Sequence, residues 1–173
     1  MSSQGNRRVD RILDPAYTAG ISNVPDEQLR AMREECEEEE SIFSYERRLL
    51  HGRLAIIEAE VKRRATGEPA RSLIDRLPEI LSGEEPQTHR GSFPRLDPPP
   101  IFDQPMRRIE KLINDDTLAR LPDLADDEIS SIAATLEDAE CDVSETRASV
   151  LSVLDRLIAE VGRRAGGDAA STA

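Results

Sequence analysis

Tryptophan is absent from this 173-residue chain, and all aromatic residues together make up 3% of it. So few large rings exclude a thick globular core and favour long helices that each bury one narrow stripe. There are two cysteines, Cys36 and Cys141, which is too few for a disulfide scaffold. With His51 and His89 they match no zinc-ligand spacing, so no metal site is expected. No run approaches the 18 or so apolar residues a membrane span needs. The opening residues, Met1 to Arg8, precede no apolar segment of the secretory kind, so the expected compartment is the cytoplasm. Positive charge is in deficit: the net charge is −12, which argues against binding a nucleic-acid polymer and suits a basic protein partner. No glycine-rich phosphate loop, nucleophile–base pair or metal-ligand cluster appears, so an enzyme is not expected and no catalytic residue is assigned.

What the chain does have is a repeat. Glu40-Ser-Ile-Phe-Ser44-Tyr-Glu-Arg47 returns as Glu140-Cys-Asp-Val-Ser144-Glu-Thr-Arg147, one hundred positions on. Both read Glu-x-x-x-Ser-x-x-Arg. Asp26, Glu37, Leu54, Ala59, Glu60, Val61, Arg63, Arg64, Ala65 and Gly67 recur at the same offset. An offset that never slips points to two copies of one helix.

In chain order, residues 1–22 read as a flexible N-terminal arm in which Ile12-Leu13 and Tyr17 are able to dock. Residues 23–67 hold the first long helix, over 24–66, with Asn23 as N-cap, Pro25 in the first turn and Gly67 just past the end. Leu29, Cys36, Phe43, Leu50 and Ile57 recur every seven residues, and Met32, Leu54 and Val61 fill in. Residues 123–166 hold the second long helix, with Asp123 as cap and Ile129, Leu136, Val143, Val150 and Leu157 in the same heptad, plus Ile132, Leu154 and Val161. The two stripes are expected to pair as a coiled coil in an all-α fold. Residues 68–122 form the connector. It is helix-like over Arg71–Leu81, with a break at Pro78, rich in Pro and Gly over 83–105, and helical again over Met106–Ile113. It is long enough to join the rods in parallel or antiparallel sense. Residues 167–173 read as a frayed tail, and the acidic run Glu34–Glu40 as a solvated or partner-facing surface.

At about 100° per residue, Glu40, Ser44, Arg47 and His51 form a polar stripe along the edge of the apolar seam. Glu140, Ser144 and Arg147 repeat it, with Asp155 further along. Pairing the helices would line one groove with two Glu, two Ser and two Arg. Arginine grips phosphate or guanine O6 and N7, carboxylate accepts from guanine N–H groups, and serine donates to phosphate. Such a set suits a guanine dinucleotide. It also suits ordinary Glu–Arg pairing at the flank of a coiled coil.

The duplicated Glu-x-x-x-Ser-x-x-Arg, the segment Ser44–Leu54 and the segment Arg11–Gly20 resemble the RsiG family of actinobacterial anti-sigma factors, some of which are labelled aerial mycelium formation proteins. The resemblance implies an antiparallel two-helix coiled coil that holds cyclic di-GMP as a regulatory ligand, and no cofactor. It also implies that the loaded form sequesters the sporulation sigma factor WhiG. The family motif continues with Gln and Asp at four-residue steps. Here His51 stands for Gln and Ala55 for Asp in the first copy; Leu151 stands for Gln in the second, where Asp155 matches. The ligand residues implied are Glu40, Ser44, Arg47, His51, Glu140, Ser144, Arg147 and Asp155. The alternative is a helical adaptor that has lost the dinucleotide and binds its partner without it.

Overall fold

The computed structural model describes residues 8–67 and 103–170, and every regular element among them is helical. Helix α1 spans Arg8–Leu13. The first rod, α2, spans Asp26–Thr66. Helices α3 (Asp103–Leu112) and α4 (Asp115–Ala119) precede the second rod, α5, over Asp126–Ala170. The connector reading over Arg71–Leu81 and most of 83–105 lies outside the described residues. The helix read over Met106–Ile113 is present and begins earlier, at Asp103.

Both rods start later than their sequence caps imply. Asn23 and Asp123 are not caps: each closes a 3-10 turn, over Ile21–Asn23 and Leu121–Asp123. The next residue is extended in each copy, with ψ of 137° at Val24 and 154° at Leu124, so helical geometry cannot begin before Asp26 or Asp126. Pro25 disfavours a helical Val24 directly. The second copy reaches the same geometry without proline, and Glu128 closes its start by accepting from the Ala125 N–H at 2.9 Å. At the far end Gly67 takes φ of +68°, the left-handed turn that ends α2, and its N–H bonds the Arg64 carbonyl. Gly166 and Gly167 do not end α5, which continues to Ala170.

The structure divides into two compact units. Unit 1 combines residues 1–44 with 144–173, and unit 2 is the continuous stretch 45–143. Within unit 1 the rods run antiparallel, since Arg147 meets Glu40 while Arg164 meets Asp26. Within unit 2 they also run antiparallel, since Arg47 meets Glu140 while Arg64 meets Asp126. The sense that connector length left open is therefore settled in each unit. All ten heptad positions are buried: Leu29, Cys36, Phe43, Leu50, Ile57, Ile129, Leu136, Val143, Val150 and Leu157. Met32 and Leu154 join them, but Leu54, Ile132 and Val161 are only half-buried. Val61, read as core, is 51% exposed. It lies one turn from the Arg64–Asp126 contact, near the end of the rod.

The repeat reaches further upstream than the rods. Arg8, Asp10, Arg11, Asp14, Ala19 and Ile21 correspond at the same offset to Arg108, Glu110, Lys111, Asn114, Ala119 and Leu121. Asp14 and Asn114 play the same part: their side chains accept from the Ala16 and Thr117 N–H groups and start the next turn. The first arm, expected to be flexible, is structured from Arg8 onward. It docks through fully buried Ile12 and through Tyr17, whose hydroxyl bonds Glu35 at 2.9 Å and the Met32 carbonyl at 3.3 Å. Arg8 pairs with Glu38 and Glu39, and Arg11 with Glu35. Much of the acidic run is thus the seat of this arm and not a solvated face, and Glu39 is buried beneath it. In unit 2 the second arm buries Ile109, Ile113, Leu118 and Leu121.

Candidate functional site

On α2, Glu40, Ser44, Arg47 and His51 recur at spacings of four, three and four, which keeps them on one helical face. Glu40 and Arg47 are two turns apart, roughly 10 Å along the axis, too far for an ion pair within the helix. Each arginine instead reaches across to the opposite rod.

In unit 1, Glu40 Oε1 accepts from Arg147 Nε at 2.9 Å and Nη2 at 2.8 Å. Ser44 Oγ donates to the same oxygen at 2.6 Å, and Arg147 Nε also donates to Ser44 Oγ at 2.8 Å. One carboxylate oxygen thus organises a guanidinium and a hydroxyl. Ser144, half-buried, lies on α5 three residues before Arg147. Asp155 is exposed and lies eight residues beyond it, roughly 12 Å along the helix, so this cluster does not include it.

In unit 2, Glu140 Oε1 accepts from Arg47 Nε at 2.8 Å and lies 3.0 Å from His51 Nε2. His51 therefore fills a polar role at the position where it replaces the family's Gln. Ala55 and Leu151 are half-buried and offer no polar group. Both clusters are partly open to water, with Arg147 20% and Arg47 32% exposed. These are charge-neutralised sets within reach of solvent, not sealed pairs. They can exchange a carboxylate for another anion at modest cost, since half-exposed ion pairs contribute only about 0–1 kcal/mol.

A second duplicated contact was visible only as sequence identity. In unit 2, Arg64 donates to Glu60 at 2.8 Å, to the Leu121 carbonyl at 2.8 Å and to the Pro122 carbonyl at 3.2 Å, and pairs with Asp126. In unit 1, Arg164 donates to Glu160 at 2.8 Å, to the Val24 carbonyl at 2.8 Å and to the Ile21 carbonyl at 2.7 Å, and pairs with Asp26. Each arginine clasps the end of one rod to the turn that starts the other. Arg63 and Arg163 complete bidentate bonds to Glu60 and Glu160. The hydrogen bond from Arg63, aided by Arg64, holds the Glu60 carboxyl down to about 2; Arg163, aided by Arg164, does the same for Glu160. The identical Glu-x-x-Arg-Arg in both copies was the signal. These residues fasten the rods and are separate from the motif clusters.

Among the described residues no group of His, Cys, Asp and Glu is placed to hold a metal, and no helix is long and apolar enough to cross a membrane. A search of curated proteins finds no match. A family model described as RsiG-like matches residues 15–81, less than half of the chain. That stretch takes in the end of the first arm from Pro15 on, all of α2 and the start of the connector. Over residues 15–81, which hold the first rod, this chain is similar to the RsiG-like family.

Proposed function

We propose that this protein is an anti-sigma factor that responds to cyclic di-GMP and sequesters a WhiG-type sporulation sigma factor. The RsiG-like match supports the anti-sigma role. The observation that carries the ligand reading is the pair of clusters, Glu40–Ser44–Arg147 and Glu140–Arg47–His51. Each combines a guanidinium for a phosphate or guanine face with a carboxylate for guanine N–H groups. Ser44 and His51 add further hydrogen-bonding groups. Without ligand, each arginine is neutralised by a glutamate of the opposite rod. A bound dinucleotide takes over part of that task and releases the glutamates toward its bases. It thereby favours one rod pairing over others, which is the differential affinity that a ligand-driven switch requires.

The test is calorimetric titration of the full chain with cyclic di-GMP, alone and then with a WhiG-type sigma factor. The expected result is saturable binding of the dinucleotide and sigma binding that strengthens with it. Sigma binding that ignores the dinucleotide, with no heat from the dinucleotide alone, selects the second reading: a ligand-independent helical adaptor. Ala55 and Leu151, apolar where the family motif is polar, favour that alternative.

A further inference from the structure

The two arms are copies of one segment, yet they are held differently. In unit 1 the first arm is tied down by partnered charges: Arg8 to Glu38 and Glu39, Arg11 to Glu35, and Tyr17 to Glu35 and a carbonyl. In unit 2 the second arm rests on α2 over two charged side chains with incomplete partners. Glu46 is 4% exposed. Arg108 Nη2 of α3 lies 2.7 Å from Glu46 Oε2, yet that oxygen receives no hydrogen bond of acceptable geometry. Two turns on, Arg53 is nearly as well buried; its Nε has no acceptor, and its Nη2 reaches Asp115 only at 3.4 Å. Unit 1 has one comparable atom, Arg33 Nε, with Glu37 of the same helix 3.2 Å from it.

A buried charge with an incomplete partner costs more than an apolar pair of the same volume would. Covering Glu46 and Arg53 therefore opposes the closure that Ile109 and Ile113 drive. Burial without a donor also pushes the Glu46 carboxyl up, a further sign that its charged form is strained there. When the arm lifts, Glu46 and Arg53 regain water while two isoleucines and their seat on α2 lose their cover. The two effects partly cancel.

We propose that α3 is a releasable cover, occupying a seat on α2 that an arginine-bearing amphipathic helix of a protein partner takes when α3 lifts. The chemistry of the seat is given by its present occupant: an acidic group, Glu46, meets a guanidinium, and the apolar side chains Ile109 and Ile113 beside it are buried. The identity of the partner rests on the anti-sigma reading; the cover itself does not.

Three measurements on the full chain test it. In amide hydrogen exchange, α3 amides should exchange at least about tenfold faster than those of α2 around Leu50. The double variant E46L/R108M, which replaces the imperfect ion pair with apolar groups, should slow α3 exchange by about tenfold. A labelled peptide of residues 103–114 should bind the cover-opening variant R108E/I109D at least about tenfold more tightly than the parent chain, with both rods still helical by circular dichroism. Slow α3 exchange in the parent, no change in E46L/R108M, or equal peptide binding by parent and opened chains would each overturn the cover. A WhiG-type sigma factor should bind E46L/R108M about tenfold more weakly than the parent. Undiminished sigma affinity alongside slowed α3 exchange overturns the seat. No sigma binding by any chain, with the peptide and exchange results as expected, removes the anti-sigma reading and leaves the cover standing.

Discussion

Replacing Arg147 with alanine should separate folding from the ligand binding proposed for this molecule. In the free protein its guanidinium is committed to Glu40, at 2.8 and 2.9 Å, and to Ser44, at 2.8 Å. Arg147 is 20% and Glu40 23% exposed, so this is a half-open pair and not a sealed one. Its loss should cost folding about 0.2–1 kcal/mol, and Ser44 still donates to Glu40. A dinucleotide phosphate would take two charge-assisted bonds from the same fork, together worth about 3–6 kcal/mol. Subtracting the Glu40 pair given up leaves about 2–5 kcal/mol, or roughly 30- to 4,000-fold in affinity at 1.4 kcal/mol per decade. Calorimetry with cyclic di-GMP measures the affinity, and thermal unfolding by circular dichroism measures the stability. Binding by the variant within about threefold of a parent that itself binds would refute the assignment. So would a large loss of thermal stability, because the pair would then be structural.

The seam gives a sharper test of packing. Leu50→Ala should cost about 2–5 kcal/mol in urea unfolding, because Leu50 is 1% exposed; Val61→Ala should cost less than about 0.5 kcal/mol. Equal losses would show the heptad reading at Val61 to be right after all. Acid should loosen the rod ends. Glu60 and Glu160 titrate at about 2 in the folded protein against an ordinary 4.5, so the stability they contribute is complete above about 4.5 and is lost as pH falls toward 2. The double variant E60Q/E160Q should flatten the stability profile across that window, and an unchanged profile would rule out the clasp as its source. Gly67→Ala should cost about 1–2 kcal/mol through the left-handed φ of 68° alone, since a Cβ there meets nothing within 4 Å. A change in α2 length seen by hydrogen exchange would contradict that account.

The seam was legible because heptad spacing speaks directly about burial: all ten predicted positions are covered. Val61 was misread because periodicity knows nothing of where a rod's cover ends, and Val61 lies in the last two turns of α2. The caps were misread for a local reason. Asn23 and Asp123 have the right chemistry, but each is used up in a 3-10 turn, and an extended residue intervenes before the rod. The first arm was underestimated because Arg8, Arg11 and Tyr17 look like solvent residues until the acidic run beside them is seen as their seat. Continuing the hundred-residue comparison back to Arg8 and Arg108 would have exposed both arms. At the candidate site, spacing placed Glu40, Ser44, Arg47 and His51 on one face, but only the antiparallel register shows that Arg147 belongs with Glu40, and Arg47 with Glu140. Asp155, eight residues beyond Arg147 as the motif spacing requires, takes no part in the contacts between Arg147, Glu40 and Ser44.

The division into units also sets an order of events during synthesis. Unit 2 is one unbroken stretch, so everything it needs has been made once Val143 has left the ribosome. Unit 1 joins the opening residues to those from Ser144 on, so it cannot be completed before the second rod is made. Tyr17 meets Met32 and Glu35 early, but Asp26 and Glu40 must wait for the second rod before Arg164 and Arg147 exist to pair with them. A nascent chain halted within the second rod would carry a finished unit 2 and an N-terminal helix with its apolar side still bare.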